Sequence, residues 1–359
     1  MDHELKSHAL KFIALDVHKS RSEMAVLSAA GKITQRRRLP TAVPPLVEAL
    51  RQVARPRRLT FEEGPLADWL ARALRPHVDE LVVCDARRNH WVAREGDKTD
   101  PVDAEKLARL FRGGFLKPVH QVADPGRSAL KQAVGLYHDQ VRRRVRLGNQ
   151  LTAILARHGR FVSAARLADP DDWRSALERL PDHRLLRASL ERLHEALLQE
   201  REREVAAGRE LTAAARNVPV VRRFAQVPGV AWIRGVTFYA AIDTPGRFRN
   251  KSALWKYCGL GLRQRQSGSG RPQTHLSKEG NRRLKDLLIG AAETTLRCAE
   301  NPFSALFHMH LQQGAPRSQA RRIVARQLAC TLWSLWKTGQ NYDPTRVRRG
   351  ARPERGTPA

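Results

Sequence analysis

Phe12-Ile13-Ala14-Leu15-Asp16-Val17 is a short apolar run broken by a single acid near its end. Consecutive apolar residues bounded by turn formers read as a buried strand. A carboxylate at the end of such a strand is costly if it is buried without a partner, so Asp16 asks for a cation. The plainer reading is a partly exposed aspartate capping the strand. Outward from this run, Ser22 to Leu27 and Ile33 to Leu39 flank the turn Ala30-Gly31-Lys32 and complete a three-strand antiparallel meander.

The chain then alternates. Pro45 to Val53 is spaced as a helix, Arg58 to Phe61 as a buried strand running into Glu62-Glu63-Gly64-Pro65, Leu66 to Leu74 as a helix and Glu80 to Cys84 as a strand. Lys98-Thr99-Asp100-Pro101-Val102-Asp103-Ala104 opens a helix expected over Asp103 to Phe111, with Leu107, Leu110 and Phe111 on one face. This β-β-β-α-β-α-β-α order is that of the α/β ribonuclease H-like fold, in which strand ends carry acids around metal ions.

Ligands gather where neighbouring parallel strands finish, so Asp16, Glu62 and the Asp100/Asp103 pair are expected to converge. Asp100 and Asp103, three apart at a helix start, can leave the same side of the first turn. Carboxylates that close repel unless a cation lies between them, and hard oxygen ligands suit Mg²⁺ or Mn²⁺. Capping explains the pair too: Asp100 serves as an N-cap and Asp103 faces the helix dipole. Glu63 rivals Glu62, but strand alternation from Leu59 and Phe61 turns only one of the two toward the metal, and we prefer Glu62. Asp85 and Asp97 are looser candidates that read more readily as solvated loop acids. His18 and Lys19 stand close enough to Asp16 to touch a phosphate, or simply decorate a strand end.

The 359-residue chain has 65 Lys and Arg against 36 Asp and Glu, a formal net charge of +29. That imbalance is self-repulsive and points to a polyanionic partner, nucleic acid ahead of a membrane surface. No apolar run is long enough to span a bilayer, and Met1 to Leu10 does not read as a signal peptide. Cys84, Cys258, Cys298 and Cys330 form no CxxC pair and read as reduced thiols of a cytoplasmic protein.

Gly126 to about Val218 is Arg/Glu-rich, with Ser128 to His158 and Leu185 to Asn217 carrying apolar residues at helical intervals. Two such helices suggest an antiparallel pair or a dimerising coiled coil, whose Arg142, Arg143, Arg144 and Arg146 face reads either as the solvated side of a spacer or as a grip on phosphates. Ala225 to Val230 resembles the turn of a helix-hairpin-helix, although Ala231 stands where a second Gly is usual. Farther on, Gln266-Ser267-Gly268-Ser269-Gly270-Arg271 is a Gly/Ser loop ringed by arginines that leads into a helix entered from Ser277. Glycines let a loop bring a hydroxyl close to a phosphodiester, and guanidiniums stabilise charge building there. A flexible linker has the same composition. Arg317 to Trp336 is a further helix, and the Arg/Pro/Gly-rich stretch beyond Asp343 is expected to be a disordered basic tail.

Ala14-Leu15-Asp16-Val17-His18-Lys19, Phe61-Glu62-Glu63-Gly64-Pro65 and Lys98-Thr99-Asp100-Pro101-Val102-Asp103-Ala104 together resemble the DEDD transposases of insertion sequences, also termed bridge-RNA-guided serine recombinases. Gly259-Leu260, Ser267-Gly268, Ser277-Lys278, Gly280-Asn281 and Leu284 match that family's second region, with Leu262 where Pro is common. The resemblance implies four domains or segments: a RuvC-like catalytic domain (1–125), a helical coiled-coil arm (126–217), a mostly helical C-terminal domain (218–342) and the tail (343–359). It implies metal-assisted DNA cleavage and rejoining by Asp16, Glu62, Asp100 and Asp103 with Mg²⁺, and Ser267 as nucleophile ahead of Ser269 and Ser277. Lys98, Arg263, Arg265, Arg271, Lys278, Arg282 and Arg283 are the expected nucleic-acid contacts. The implied partners are DNA, a structured guide RNA and further copies of the chain in a dimer or tetramer, at the nucleoid. The alternatives are a Mg²⁺-dependent junction-resolving or ribonuclease H-like nuclease with an idle serine, and a catalytically inactive nucleic-acid-binding protein.

Overall fold

A computed structural model describes residues 10–85, 100–122, 124–178, 180, 181, 183–265, 273–276 and 279–347. It divides into two compact units, residues 1–125 and 126–359. The first is built on β1 (Lys11–Val17), β2 (Arg21–Ser28), β3 (Ile33–Pro40), α1 (Val43–Arg51), β4 (Arg57–Glu62), α2 (Ala67–Leu74), β5 (Glu80–Cys84) and α3 (Asp100–Arg112). The strands form one mixed sheet in the order β3-β2-β1-β4-β5, antiparallel across β3, β2 and β1 and parallel across β1, β4 and β5.

Alternation along β1 explains why it reads as continuously apolar: both faces of the sheet are covered. Ile13 and Leu15 pack with Leu46, Leu50, Phe61 and Leu70 under α1 and α2. Phe12 and Ala14 face the other way, against Ala104, Leu107, Ala108 and Phe111 of α3. Each such large side chain contributes about 1.5–3 kcal/mol by leaving water. The edge strand β3 instead alternates partly buried and exposed positions through Arg36, Arg37 and Arg38. Helix α3 starts at Asp100, one turn before the start expected from the sequence. The reason is that its first turn is polar and carries no apolar periodicity, while proline near a helix start costs no backbone hydrogen bond.

The second unit begins with α4 (Pro125–Arg157), α5 (Pro170–Glu178) and α6 (Arg184–Arg216). Helices α4 and α6 run antiparallel within one chain. Gly148 approaches Leu197, Arg144 pairs with Glu204, and the Tyr137 ring lies against Gly208. Leu151, Leu155, Leu167, Ala176, Leu190 and Leu197 fill the end where α5 folds in. At the opposite end Val134, Leu211 and Ala215 join a larger core. That core is shared with α7 (Pro219–Ala225), α8 (Ala231–Ile242), α9 (Lys251–Tyr257), α10 (Arg282–Thr295), α11 (Pro302–Gln312) and α12 (Arg317–Thr338). Between α9 and α10 rises a two-stranded antiparallel ribbon, β6 (Leu262–Arg265) with β7 (Gln273–Leu276).

Order also persists past the point where the sequence suggests a tail. The Asp343 carboxylate accepts the Thr345 N–H at 2.9 Å, and Val347 is buried in the second core. A local Asx turn and one buried valine are enough to hold those residues despite their polar composition. Residues 348–359 lie outside the described residues. Among the described residues no helix is long and apolar enough to cross a membrane. Cys84, Cys258 and Cys330 are buried free thiols and Cys298 is exposed. Burial pushes the Cys258 thiol up, which keeps it protonated and unreactive.

Candidate active site at the strand ends

Asp16 is the sixth of the seven residues of β1 and lies on the α3 face, following Phe12 and Ala14 by strand alternation. Its side chain is 25% exposed and accepts a hydrogen bond from His18 Nε2 at 3.0 Å. Glu62 ends β4 and is exposed. Leu15 pairs with Phe61 in the parallel register, which sets Glu62 beside Asp16 at the carboxyl edge of the sheet. Thr60, two residues earlier, is buried on that same alternation. The exposed Glu63 donates its backbone N–H to Cys84 O at 2.8 Å and belongs to the turn that follows.

Helix α3 reaches this edge because it runs antiparallel to β1. Its last turn sits at the start of β1: the Phe111 and Phe12 rings stack edge to face at 5.8 Å, and Arg112 Nε donates to Ala29 O at 2.7 Å. Glu105, nearer its start, pairs with Arg36 midway along β3. Asp103, eight residues back from Phe111, lies about 12 Å up the helix axis. Asp16, four residues beyond Phe12, lies about 13 Å up the strand. The first turn of α3, with Asp100 and Asp103, is therefore level with Asp16. The side chain of Asp100 lies outside the described residues, as do Lys98 and Asp97. Asp85 follows β5, and its N–H donates to Lys117 O at 3.1 Å.

A cavity of about 410 Å³ opens at the same sheet edge. Asp16, Glu62, Glu63 and Lys19 contribute its polar lining, and Phe61, Leu66 and Leu70 its apolar wall. Among the described residues no three His, Cys, Asp or Glu side chains stand close enough together to hold a metal ion. The acids that line this edge, Asp16, Glu62 and Glu63, offer carboxylate oxygens, with the His18 imidazole bonded to Asp16. Asp16 is three-quarters buried at the mouth of a hydrophobic sheet, and that chemistry fits a hard divalent cation. Sequence reasoning passed over Glu23. It lies directly opposite Asp16 on β2, is 8% exposed, and pairs with Arg38. Its burial comes from cross-strand register, for which Arg21-Ser22-Glu23-Met24 carries no local signal.

In the second unit, Ser267, Ser269, Arg271, Ser277 and Lys278 lie outside the described residues, and Arg263 and Arg265 are placed only as backbone of β6. What the structure does describe is the base of the ribbon. Gly280 has φ +124, and a Cβ there would meet Lys256 O and Gly259 N at 2.6 Å. Only glycine admits that approach and that backbone angle. Asn281 N donates to Tyr257 O at 2.7 Å, and its side chain caps α10 by accepting from Leu284 N at 3.1 Å. From α12, Arg326 donates to Leu260 O through Nε at 2.8 Å and Nη2 at 2.5 Å, with its guanidinium over Trp255. Arg282 is exposed on α10, whereas Arg283 turns back toward Asp139 of α4 at 3.7 Å.

The turn before α8 presses Gly229, φ +79, against α10, where a Cβ would lie 2.5 Å from Ala291 O. Ala231 follows with φ +40, the second left-handed position of that turn.

Comparison with known proteins finds two matching regions. Residues 13–159 match a DEDD transposase model of the IS110 type, and residues 221–308 match the transposase model described as the IS116/IS110/IS902 family. The chain is 26% identical over 353 residues to "Putative transposase y4qE" of Sinorhizobium fredii, covering 90% of this chain and 88% of that protein. It is 27% identical over 265 residues to "Probable family 20 transposase" of Pseudomonas aeruginosa, covering 70% of this chain and 75% of that protein. "Transposase for insertion sequence element IS1111A" of Coxiella burnetii is 28% identical over 135 residues, 37% of each chain.

Proposed function

We propose that this chain is a transposase of the IS110 type, an enzyme that cuts and rejoins DNA, with a specific division of labour between its two units; the two matching regions, residues 13–159 and 221–308, support that reading. Asp16, Glu62, Asp100 and Asp103 hold a divalent cation at the carboxyl edge of the sheet, and Ser267 is the nucleophile. The observation that supports the acid set best is the antiparallel run of α3 along β1, which brings two regions far apart in sequence to one level.

A bound Mg²⁺ or Mn²⁺ supplies Lewis-acid polarisation of the scissile phosphate and offsets charge on its oxygens. The acids orient that cation, and Asp16 in turn is held by His18. Ser267 Oγ attacks phosphorus, a phosphoserine bond forms, the bond to the departing deoxyribose oxygen breaks, and the proton given up by the serine hydroxyl ends on that oxygen. In rejoining, a deoxyribose hydroxyl of another strand attacks the phosphoserine and Oγ leaves, so phosphodiester energy is kept through the exchange. Lys98, Arg263, Arg265, Arg271, Lys278, Arg282 and Arg283 bind the backbones that meet there. Acids and serine lie in separate units, and the reaction needs both. An assembly of two or four copies is the working form, and a lone copy is inactive. A structured RNA encoded with the element chooses the target by base pairing, the protein reading shape and backbone. The setting is cytoplasmic, at the nucleoid.

The experiment is denaturing electrophoresis of the full chain with labelled element-end DNA and Mg²⁺. The expected result is a covalent protein–DNA band that Ser267→Ala abolishes. Mg²⁺-dependent cleavage surviving in Ser267→Ala would replace this reading with a nuclease that uses the acids alone.

A further inference from the structure

We propose that the edge strand β3 is a rail for one DNA backbone, Arg36 and Arg38 each gripping a phosphate on the way to the acid cleft. The proposal rests on the DNA-joining reading above and adds to it a surface and a direction of approach.

Arg36 and Arg38 stand two apart on β3, on the same face. In register, Arg36 lies opposite Ala25 and Arg38 opposite Glu23, and Glu23 in turn lies opposite Asp16. Arg38 is thus in the same cross-strand row as Asp16, two strands away, a separation of about 10 Å. Each guanidinium is held from below by a carboxylate that is largely buried. Arg36 donates through Nε to Glu105 of α3, and Arg38 through Nε to Glu23. The carboxylate side chains are 17% and 10% exposed, the arginines 62% and 57%.

Three physical points favour a phosphate backbone as the occupant. A surface arginine ordinarily loses rotamer entropy when it is immobilised. Here the carboxylates have already fixed both side chains, so gripping an anion costs less. Residues two apart on a strand are separated by about 6.8 Å, a spacing comparable to that of consecutive phosphates along one nucleic-acid strand. Lys19 then lines the cleft itself, a third cation where the rail meets the acids. Charged side chains also protect an edge strand from pairing with another chain, and that role alone predicts no effect on DNA.

The test measures anisotropy of a fluorescein-labelled DNA duplex with the full chain across a salt series. The double variants Arg36→Gln/Glu105→Gln and Arg38→Gln/Glu23→Gln each remove a pair whole, leaving net charge unchanged and no buried carboxylate stranded. The log–log salt slope is expected to fall by about 0.9 for each pair removed, with melting temperature unchanged. An unchanged DNA slope, or a fall seen only with an RNA probe, overturns the rail. Asp16→Asn is run alongside as an internal reference. If it abolishes cleavage while the pair variants keep the wild-type slope, the rail fails and the reaction stands. If Asp16→Asn still cleaves, the reaction reading fails whatever the slopes show.

Discussion

In the sheet unit, Asp16 and Glu62 reach one edge because two neighbouring parallel strands end together and an antiparallel helix starts beside them. In the helical unit, the base of the β6–β7 ribbon is set by Gly259, Gly280 and the Arg326 fork. The first arrangement uses register, which is repetitive and tolerant. The second uses one close backbone approach, which a single methyl group spoils. The same chain therefore builds a forgiving sheet edge and an unforgiving ribbon base.

The largest effect that sharpens this contrast is on catalysis. Asp16→Asn and Ser267→Ala should each lower strand exchange by roughly a thousand-fold or more. Asp16→Asn should leave DNA affinity within about two-fold, as measured by anisotropy. Next in size is Gly280→Ala, which puts a Cβ within 2.6 Å of two backbone atoms. It should cost about 2–4 kcal/mol in denaturant unfolding of the second unit. A loss within a few tenths of a kcal/mol would show that the ribbon base is as tolerant as the sheet edge.

Much of the first unit could be read from its residues, and the exceptions are instructive. Phe12 to Val17 announced a buried strand because both its faces are covered, and Asp16 stood out against that background. Helix α3 starts a turn ahead of its apolar pattern, since a polar first turn has no apolar period to follow. Glu23 was invisible because its burial depends on Arg38 of another strand. The ribbon base was equally hidden: Gly280 meets Gly259, and Arg326 meets Leu260, across separations that no local pattern encodes. Local periodicity reports faces of single elements, whereas pairing between distant charges and backbone atoms appears only once the elements are packed.

A smaller effect separates the units by pH. His138 on α4 bonds through Nε2 to Thr237 Oγ1 at 2.9 Å. Burial, reinforced by Arg283 and Arg142, lowers its pKa to about 4. Unfolding lets this histidine take a proton more readily, so its contribution is full above pH ~6.5 and is lost as pH falls toward 4. With its partial exposure the loss is about 1–2 kcal/mol. His138→Gln should flatten that part of the stability–pH curve of the helical unit and leave the sheet unit unchanged. Smallest is Ala231→Gly, which relieves a left-handed alanine at φ +40. It should raise stability by about 0.5–1 kcal/mol, seen as a higher unfolding midpoint at constant denaturant slope.

The most direct test of the account replaces Mg²⁺ by Fe²⁺ in the full chain and adds ascorbate and peroxide, so that hydroxyl radicals cut the backbone beside the bound ion. One ion held by the four acids cuts both near Asp16 at the end of β1 and near Asp103 at the start of α3, and Asp103→Asn removes both cuts together. Scission at only one of these two segments, or at both with independent sensitivity to Asp103→Asn, would contradict the shared site.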